Sequence, residues 1–315
     1  MPTIIGGSAS TGSSLLTNIL NRHSSIYAGP ETHLFTKPKL YLDWAKHKES
    51  ILTKQGDAMK SPGIHRFNGV ILDNQKPIAD LLNEANSFPQ FAEAYFSSCG
   101  AIEWVEKTPV NSYCFDLFIK EFKGGKCVLM VRNPYDAIAS MMARGLTSLK
   151  AASIYLTNTL ANISLRGNDN FHIVKYESLI TNTKHTLSEL CNFLGIMYES
   201  EMLIAEDEDV RMEGWIQNEK GELGKGSVGR FLTHSASVQN EIISVVDSIK
   251  LRNEKWPFTS TELRDISDIC NLFNYEYRKS EGESISNKLY LWKEELESTI
   301  KFYPTNIFNY PITFK

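Results

Sequence analysis

The first twenty residues constrain the fold more than any other stretch of the chain. A short β-branched run, Thr3–Ile5, leads into the pair Gly6–Gly7 and then into a loop of small residues that reaches Gly12. Leucine and isoleucine then recur at helical spacing over Leu15–Leu20. A strand, a small-residue loop and a helix in this order direct backbone N–H groups and a helix N-terminus towards an anion, usually a phosphate. The sequence therefore predicts a phosphate site at its start.

This loop lacks the lysine that a nucleoside triphosphatase uses. Residues 7–14 differ at one position from the pattern G-x4-G-K-[ST], because Ser13 stands in the place of the lysine. In that class of enzyme a second strand ends in an aspartate that holds Mg²⁺. Here the apolar run Lys126–Val131, a predicted strand, is followed by Arg132. This combination is unsuited to a kinase and favours a nucleotide with two separately bound phosphate groups and no requirement for a metal.

Apolar runs alternate with helical patterns over the first two thirds of the chain. Strands are predicted at residues 3–5, 101–106, 126–131 and 171–176. Helices are predicted at 111–120, 133–144 and 148–165, with a further one that ends at Gly195. Strands that alternate with helices form parallel βαβ units. We therefore predict an α/β fold, a P-loop-like central parallel sheet flanked by helices.

The rest of the chain completes one predicted domain that spans residues 1–315. Its nucleotide-binding core is expected at about 1–36 and 101–196, with a helical insertion on the acceptor side at about 38–100. A closing loop and further helices, at 238–249, 262–273 and 288–300, are expected within residues 197–315. The segment from Lys54 to Gly69 has the composition of a loop.

Charge and composition exclude several classes of function. A net charge of −4 argues against a general nucleic-acid or membrane-surface binder, so any phosphate site must be a local basic cluster. No apolar run approaches the roughly 18–20 residues of a membrane span, and the N-terminus has no secretory signal pattern, so a cytoplasmic location is expected. The five cysteines are scattered, without a C-x-x-C pair, and indicate reduced core thiols with no disulfide framework or zinc site.

Four segments of the chain form a recognisable set: GGSASTGSSLL at 6–16, EKTP at 106–109, VRNPYDAIAS at 131–140, and VKYESL at 174–179 with the helix that follows. Together they resemble the sulfotransferases that use 3′-phosphoadenosine-5′-phosphosulfate (PAPS), most closely the group that contains tyrosylprotein and bacterial sulfotransferases. Their order and spacing match the family from residue 3 to about 196. Beyond that point only Ser227–Arg230 is similar to its nucleotide-closing loop. Each segment alone is common, whereas four in this order are specific.

The resemblance implies which residues bind the donor PAPS and its product, 3′-phosphoadenosine-5′-phosphate (PAP). The loop would hold the 5′-phosphosulfate through backbone N–H groups and hydroxyls, with the residues Ser10, Thr11, Gly12, Ser13, Ser14 and Leu15. A second set would hold the 3′ phosphate, namely Arg132, Ser140, Ser227 and Arg230. Tyr176 would lie near the adenosine, although an aromatic residue at a strand end is usually a packing residue.

The resemblance also implies the catalytic residues. Lys107 would donate to the oxygen that bridges sulfur and phosphorus and so stabilise charge as the sulfuryl group leaves. Glu31 stands where tyrosylprotein sulfotransferases place their general base. His33 is the alternative base, because other sulfotransferases use histidine.

One position departs from the family pattern. Ser10 stands where the family loop usually carries arginine or lysine. Loss of that cation would cost several kcal/mol of transition-state stabilisation, roughly, unless Lys107 or Lys225 replaces it. We therefore predict sulfuryl transfer to a hydroxyl or nitrogen of a small molecule, with a tyrosyl or carbohydrate acceptor as the alternative. A P-loop kinase and a non-catalytic nucleotide-binding protein remain as rival functions.

Overall fold

The computed structural model describes residues 1–29, 31–51, 78–98, 100, 102–204, 228–252, 256–260, 262–280 and 312–314. Its central strands are β1 (Pro2–Gly7), β2 (Ile26–Ala28), β3 (Glu103–Lys107), β4 (Lys126–Val131) and β5 (Phe171–Lys175). They form a five-stranded sheet in the order β2-β3-β1-β4-β5, and every pair is parallel. The predicted central parallel sheet is therefore confirmed.

Strand β2 was not predicted, because its three residues are too short to show a periodic pattern. It pairs in parallel with β3, with Tyr27 opposite Trp104. Its position is therefore set by a long-range partner and not by local sequence.

Alternate residues of the central strands enter two different hydrophobic layers. Ile5, Val128 and Met130 pack with the helix that follows β1. Ile4, Cys127 and Leu129 pack on the opposite face. Because both faces of β4 are covered, its sequence is a continuous apolar run with no alternation.

Helices flank the sheet on both faces. Outside the insertion and the C-terminal part, the helices are α1 (Ser13–Leu20), α6 (Phe115–Glu121), α7 (Pro134–Met142), α8 (Ser148–Leu160), α9 (Tyr176–Thr181) and α10 (Thr183–Leu194). Helix α7 begins as predicted, with the Asn133 side chain accepting from the N–H groups of Tyr135 and Asp136. Helix α10 ends at Gly195, which has the predicted left-handed conformation with φ 78°.

Two predicted helices are shorter than the sequence pattern indicated. The stretch predicted at 111–120 opens with a 3₁₀ segment, Pro109–Cys114, before α6. The helix predicted at 148–165 stops at Leu160, because Asn162 adopts a left-handed φ of 57° and its Nδ2 donates to the Ser112 carbonyl and to Asp116. A side-chain bond to a distant segment therefore interrupts the helical pattern.

The predicted insertion is helical where it is described and packs on the sheet. Its helices are α2 (Pro38–Leu42), α3 (Trp44–His47), α4 (Ile78–Glu84) and α5 (Phe88–Ser98), and the loop predicted at 54–69 lies outside the described residues. Phe35, Phe96 and Trp104 stack at the join, with the Phe96 and Trp104 ring centroids 4.2 Å apart. That this layer shapes the acceptor pocket stays a prediction.

The C-terminal part adds two helices, α11 (Ala236–Ser248) and α12 (Ile266–Phe273). It also contains a small antiparallel pair that was not predicted, β6 (Ile249–Leu251) with β7 (Ile312–Phe314). The helix predicted at 288–300 lies outside the described residues. Within the described part of the chain, no helix has both the length and the apolar composition to cross a membrane.

We expect Gly7→Ala to lower the free energy of unfolding by roughly 3 kcal/mol or more, because it forces a clash inside the sheet. Gly7 has φ +130°, and a Cβ there would lie 2.3 Å from the Met130 carbonyl oxygen of β4. Urea denaturation followed by circular dichroism measures the loss.

Gly167→Ala is the matched control. Gly167 also has a positive φ, +90°, but its added Cβ would meet nothing within 4 Å. It should lose only about 1–2 kcal/mol, the usual strain of a side chain in the left-handed region. Equal losses in the two variants would show that the contact with β4 is unimportant.

Candidate functional site

The loop between β1 and α1 presents an uncapped helix N-terminus. The first bond within α1 runs from the Leu16 N–H to the Gly12 carbonyl at 3.0 Å, so the N–H groups of Ser13, Ser14 and Leu15 have no acceptor inside the helix. Gly12 provides no side-chain cap and has φ 87°. Free N–H groups together with the helix dipole form a site for an anion.

Side chains of the loop fix its shape. The buried Thr11 hydroxyl donates to the Ser8 carbonyl at 2.7 Å, and the Leu15 side chain lies in the core. A Cβ at Gly12 would come within 2.4 Å of the Tyr176 ring, so only glycine fits there. The predicted loop residues are thus held together, with Ser13 buried and Ser14 exposed.

Arg132 lies directly after β4 and contacts both the loop and helix α7. Its Nη1 donates to the Ser10 carbonyl at 2.9 Å and to the Ser140 hydroxyl at 3.2 Å. Its guanidinium lies over the Tyr176 ring, 4.6 Å from the centroid. The predicted residues Ser10, Arg132, Ser140 and Tyr176 therefore form one cluster.

Burial makes the Arg132 guanidinium receptive to an anion. The side chain is almost wholly buried, and this burial lowers the pKa of Arg132. The charges of Asp136 and Glu177 raise that pKa, whereas the positive charge of Arg230 lowers it. A buried cation whose charged form is disfavoured by desolvation is stabilised by a negatively charged ligand.

The three predicted catalytic residues lie together at the end of β3. Buried Lys107 donates from Nζ to the Ser14 hydroxyl at 3.0 Å and also forms an ion pair with Glu31. The Glu31 Oε2 lies 3.7 Å from the His33 Nε2. The Glu31 and His33 side chains are both partly exposed, so a small molecule can reach them from solvent. The predicted catalytic residues therefore lie beside the loop between β1 and α1.

Glu106 is a residue of this site whose function the sequence did not indicate. It is completely buried, and Oε1 accepts from the Thr32 N–H and the Thr108 hydroxyl, each at 2.7 Å. Oε2 accepts from Asn111 Nδ2 at 2.7 Å. Because Thr32 lies between Glu31 and His33, this carboxylate fixes the segment that carries both candidate bases. The available signal was an acid inside a buried strand, next to Lys107.

Ser10 carries no cation, and the structure shows what surrounds it. Ser10 has φ 64°, which turns its carbonyl towards Arg132. Among the described residues, Lys107 contacts the loop through the Ser14 hydroxyl and Arg132 contacts it through the Ser10 carbonyl. The other candidate, Lys225, lies outside the described residues, as does Ser227.

Arg230 begins a 3₁₀ segment, Arg230–Thr233, near Arg132. The N–H groups of Gly229 and Phe231 donate to Asp136 at 2.7 and 2.8 Å. The resemblance to known loops did not assign a role to Asp136, and no local pattern connects it with residues 93 and 95 positions away.

The described cysteines are buried thiols outside this site. Burial raises the pKa of Cys191 to about 11 and that of Cys270 to about 12, so both stay protonated at neutral pH. Cys114 and Cys127 are also buried and unpaired by disulfides, and Cys99 lies outside the described residues. Among the residues described, no group of three or more histidine, cysteine or acidic side chains is arranged to hold a metal ion.

Comparisons with known proteins agree with this fold. A sulfotransferase domain from the Synechococcus PCC 7002 olefin synthase has 20% identity and a TM-score of 0.56, covering 78% of this chain and 92% of its own. A sulfotransferase domain from the curacin biosynthetic pathway has 20% identity and a TM-score of 0.50, covering 88% of this chain and 99% of its own. No curated protein sequence matches the chain.

The family comparison covers most of the site. The profile of the Sulfotransferase family matches residues 2–200, which is well over half of the chain. The matched region contains the phosphate loop, the Lys107 group and the Arg132 cluster. By the extent of this match, and with a parallel α/β sheet that carries its cationic residues at the strand ends, the chain belongs to the sulfotransferase family.

Proposed function

We propose that this protein transfers a sulfuryl group from PAPS to a hydroxyl or nitrogen of a small-molecule acceptor, with release of PAP. The observation that carries the proposal is a pair of cationic groups that contact the loop between β1 and α1 at two different residues, Ser14 and Ser10. The α1 N-terminus and Lys107 form one group, and Arg132 with Ser140 forms the other. PAPS carries an anionic group at each of two positions, and this pair of sites matches that chemistry.

Binding of the 5′-phosphosulfate falls to the loop and Lys107. The N–H groups of Ser13, Ser14 and Leu15 supply donors that need no rearrangement. Because Lys107 contacts Ser14, it binds the same anion in this proposal. Its charge stabilises the oxygen that becomes negative as the bond to sulfur breaks. In the family pattern, a cation at the position of Ser10 would contribute to the same stabilisation.

Binding of the 3′ phosphate falls to Arg132, Ser140 and Arg230. Arg132 and Ser140 are already joined at 3.2 Å and are almost fully buried, so the phosphate meets fixed donors. Tyr176 is buried beneath Arg132 and orients it, whether or not its ring also touches the adenosine. Thr11 and Leu15 contribute through the backbone, because their side chains serve the fold.

Glu31 is the general base of this proposal. It is partly exposed, lies beside Lys107 and belongs to a segment that Glu106 fixes. In-line attack on sulfur requires a base on the side away from the leaving group, and the acceptor's proton passes to a Glu31 oxygen. His33, 3.7 Å from the other oxygen, is the alternative.

The proposed acceptor class rests on the two sulfotransferase domains of similar fold. The two sulfotransferase domains of similar fold come from an olefin synthase and from the curacin biosynthetic pathway, whose names point to the biosynthesis of small molecules. We therefore place the acceptor in secondary metabolism, with tyrosyl and carbohydrate acceptors as alternatives. A cytoplasmic location belongs to the same proposal and rests on the sequence expectation.

The deciding experiment is an acceptor screen with isotopically labelled PAPS, in which mass spectrometry detects the transferred group. We expect a labelled product and equimolar PAP, with equal yield in excess EDTA. Tight PAP binding without transfer to any acceptor would instead identify a non-catalytic nucleotide-binding protein. Magnesium-dependent turnover of ATP would identify a kinase.

We expect Glu31→Gln to reduce kcat by roughly 10²–10⁴ and to leave the dissociation constant of PAP nearly unchanged, because it removes a proton acceptor and no phosphate contact. Steady-state kinetics and calorimetric titration measure the two quantities. His33→Gln is made in parallel, and a larger loss in that variant would make His33 the base.

Glu189→Gln is the matched control for this prediction. Glu189 also lies beside a histidine, with its Oε1 3.5 Å from the His185 Nε2, but on the exposed face of α10. This variant should keep full activity. If Glu31→Gln loses PAP affinity together with activity, Glu31 has a structural role and not a catalytic one.

We expect Lys107→Ala to lower kcat by about 10²–10³ with a smaller rise in the KM for PAPS, because the lysine charge is needed most when the leaving oxygen becomes negative. Lys126→Ala changes the same charge at the opposite end of the strands, where Nζ donates to the Asp169 carbonyl at 3.2 Å. That control should behave as the wild type. A change confined to KM in Lys107→Ala would assign the lysine to ground-state binding.

A further inference from the structure

Asp136 holds the backbone on both sides of Arg230. Its Oδ2 accepts from the Gly229 N–H at 2.7 Å and its Oδ1 from the Phe231 N–H at 2.8 Å. One carboxylate therefore fixes the residues immediately before and after the arginine. Asp136 is itself nearly completely buried in the first turn of α7, so its own position is rigid.

Apolar packing supports the same attachment. The buried Phe231 ring lies 5.2 Å from the Tyr135 ring, next to Asp136 in the sequence. Gly229 adopts a left-handed φ of 78°, which allows its N–H to reach the carboxylate. The arginine thus stands on a short segment that is anchored by one aromatic contact and two hydrogen bonds.

The charge of Arg230 acts on that of Arg132. The Arg230 charge acts on the Arg132 guanidinium, in addition to the larger effect of burial, and both lower the pKa of Arg132. Holding two like charges near one another costs free energy that an anion between them recovers. The negative charge of Asp136 raises the pKa of Arg132, whereas its carboxylate oxygens accept from the backbone of the Arg230 segment.

We propose that Asp136 is a positioning residue that holds Arg230 against the 3′ phosphate of the donor, and that it thereby determines the preference for nucleotides that carry a 3′ phosphate. This inference rests on the proposed function. Asp136 belongs to α7 in the predicted nucleotide-binding core, whereas the arginine that it positions, Arg230, belongs to the C-terminal part.

A purely structural role for Asp136 makes different predictions. An acid in a first turn favours the helix dipole by a modest amount, and the cap itself is Asn133, whose side chain accepts from Tyr135 and Asp136. Loss of such a role would lower the free energy of unfolding and weaken the binding of every nucleotide by the same factor. Loss of the charge alone would strengthen anion binding, because a negative group beside the site would be removed.

The test compares PAP with adenosine 5′-monophosphate, which lacks the 3′ phosphate. Calorimetric titration of the wild type should show much tighter binding of PAP. In Asp136→Asn, PAP affinity should fall by about tenfold or more, the usual effect of losing a charged hydrogen-bond partner, whereas affinity for the monophosphate stays unchanged. An equal loss for both nucleotides, or no loss for either, would overturn the inference.

A double-mutant cycle shows whether Asp136 acts through Arg230. Arg230→Ala should cause a similar PAP-specific loss, and the double variant should lose no more than Arg230→Ala alone, because the two changes remove one interaction. Additive losses would mean that Asp136 acts independently of Arg230, against the inference. Arg230 is only half-buried, so its replacement leaves the core intact.

Gly229→Ala provides a second variant if Asp136→Asn does not fold. The added Cβ meets nothing within 4 Å, but it strains the left-handed φ and so shifts the same backbone while the carboxylate stays. It should reduce PAP affinity selectively, and an unchanged preference would count against the inference. If the wild type itself does not prefer PAP over the monophosphate, the proposed donor is wrong, which is a different result from the failure of Asp136 alone.

Discussion

The site depends on one buried cation, the Arg132 guanidinium, and on the groups that hold it. Arg132 donates to the carbonyl of Ser10 and the hydroxyl of Ser140, lies over the Tyr176 ring, and has its own carbonyl bonded by the Tyr155 hydroxyl at 2.6 Å. These contacts come from separate parts of the chain, and each joins a different element to the end of β4. A charge that is costly to bury therefore brings together the loop, the helices α7, α8 and α9, and the end of β4.

Two carboxylates connect the neighbourhood of Arg132 and Lys107 to other parts of the chain. Glu106, a buried residue of β3, accepts from Thr32 and so fixes the segment of the candidate bases. Glu177 accepts from the Asn133 N–H and from the Tyr275 hydroxyl, each at 2.8 Å, which ties the start of α7 to the C-terminal part. One fully buried acid and one partly buried acid, each with several donors, thus position the segments next to Lys107 and Arg132.

The features that were predicted correctly depend on local sequence patterns, whereas the features that were missed depend on contacts between residues far apart in the sequence. The apolar run of β4, the cap at Asn133 and the glycine at 195 each act within a few residues, and all three were correctly predicted. Strand β2 and the contacts of Glu106 and Asp136 were missed, because their partners lie many residues away and leave no periodic trace. The early stop of α8 has the same cause, a bond from Asn162 to a remote carbonyl.

The contact between Gly12 and Tyr176 joins the loop to the start of α9. A methyl group at Gly12 would lie too close to the Tyr176 ring, and the guanidinium of Arg132 lies 4.6 Å from the centroid of that ring. One aromatic side chain is therefore packed against both the loop and the residue that follows β4. A shift of either segment would be transmitted to the other through the ring.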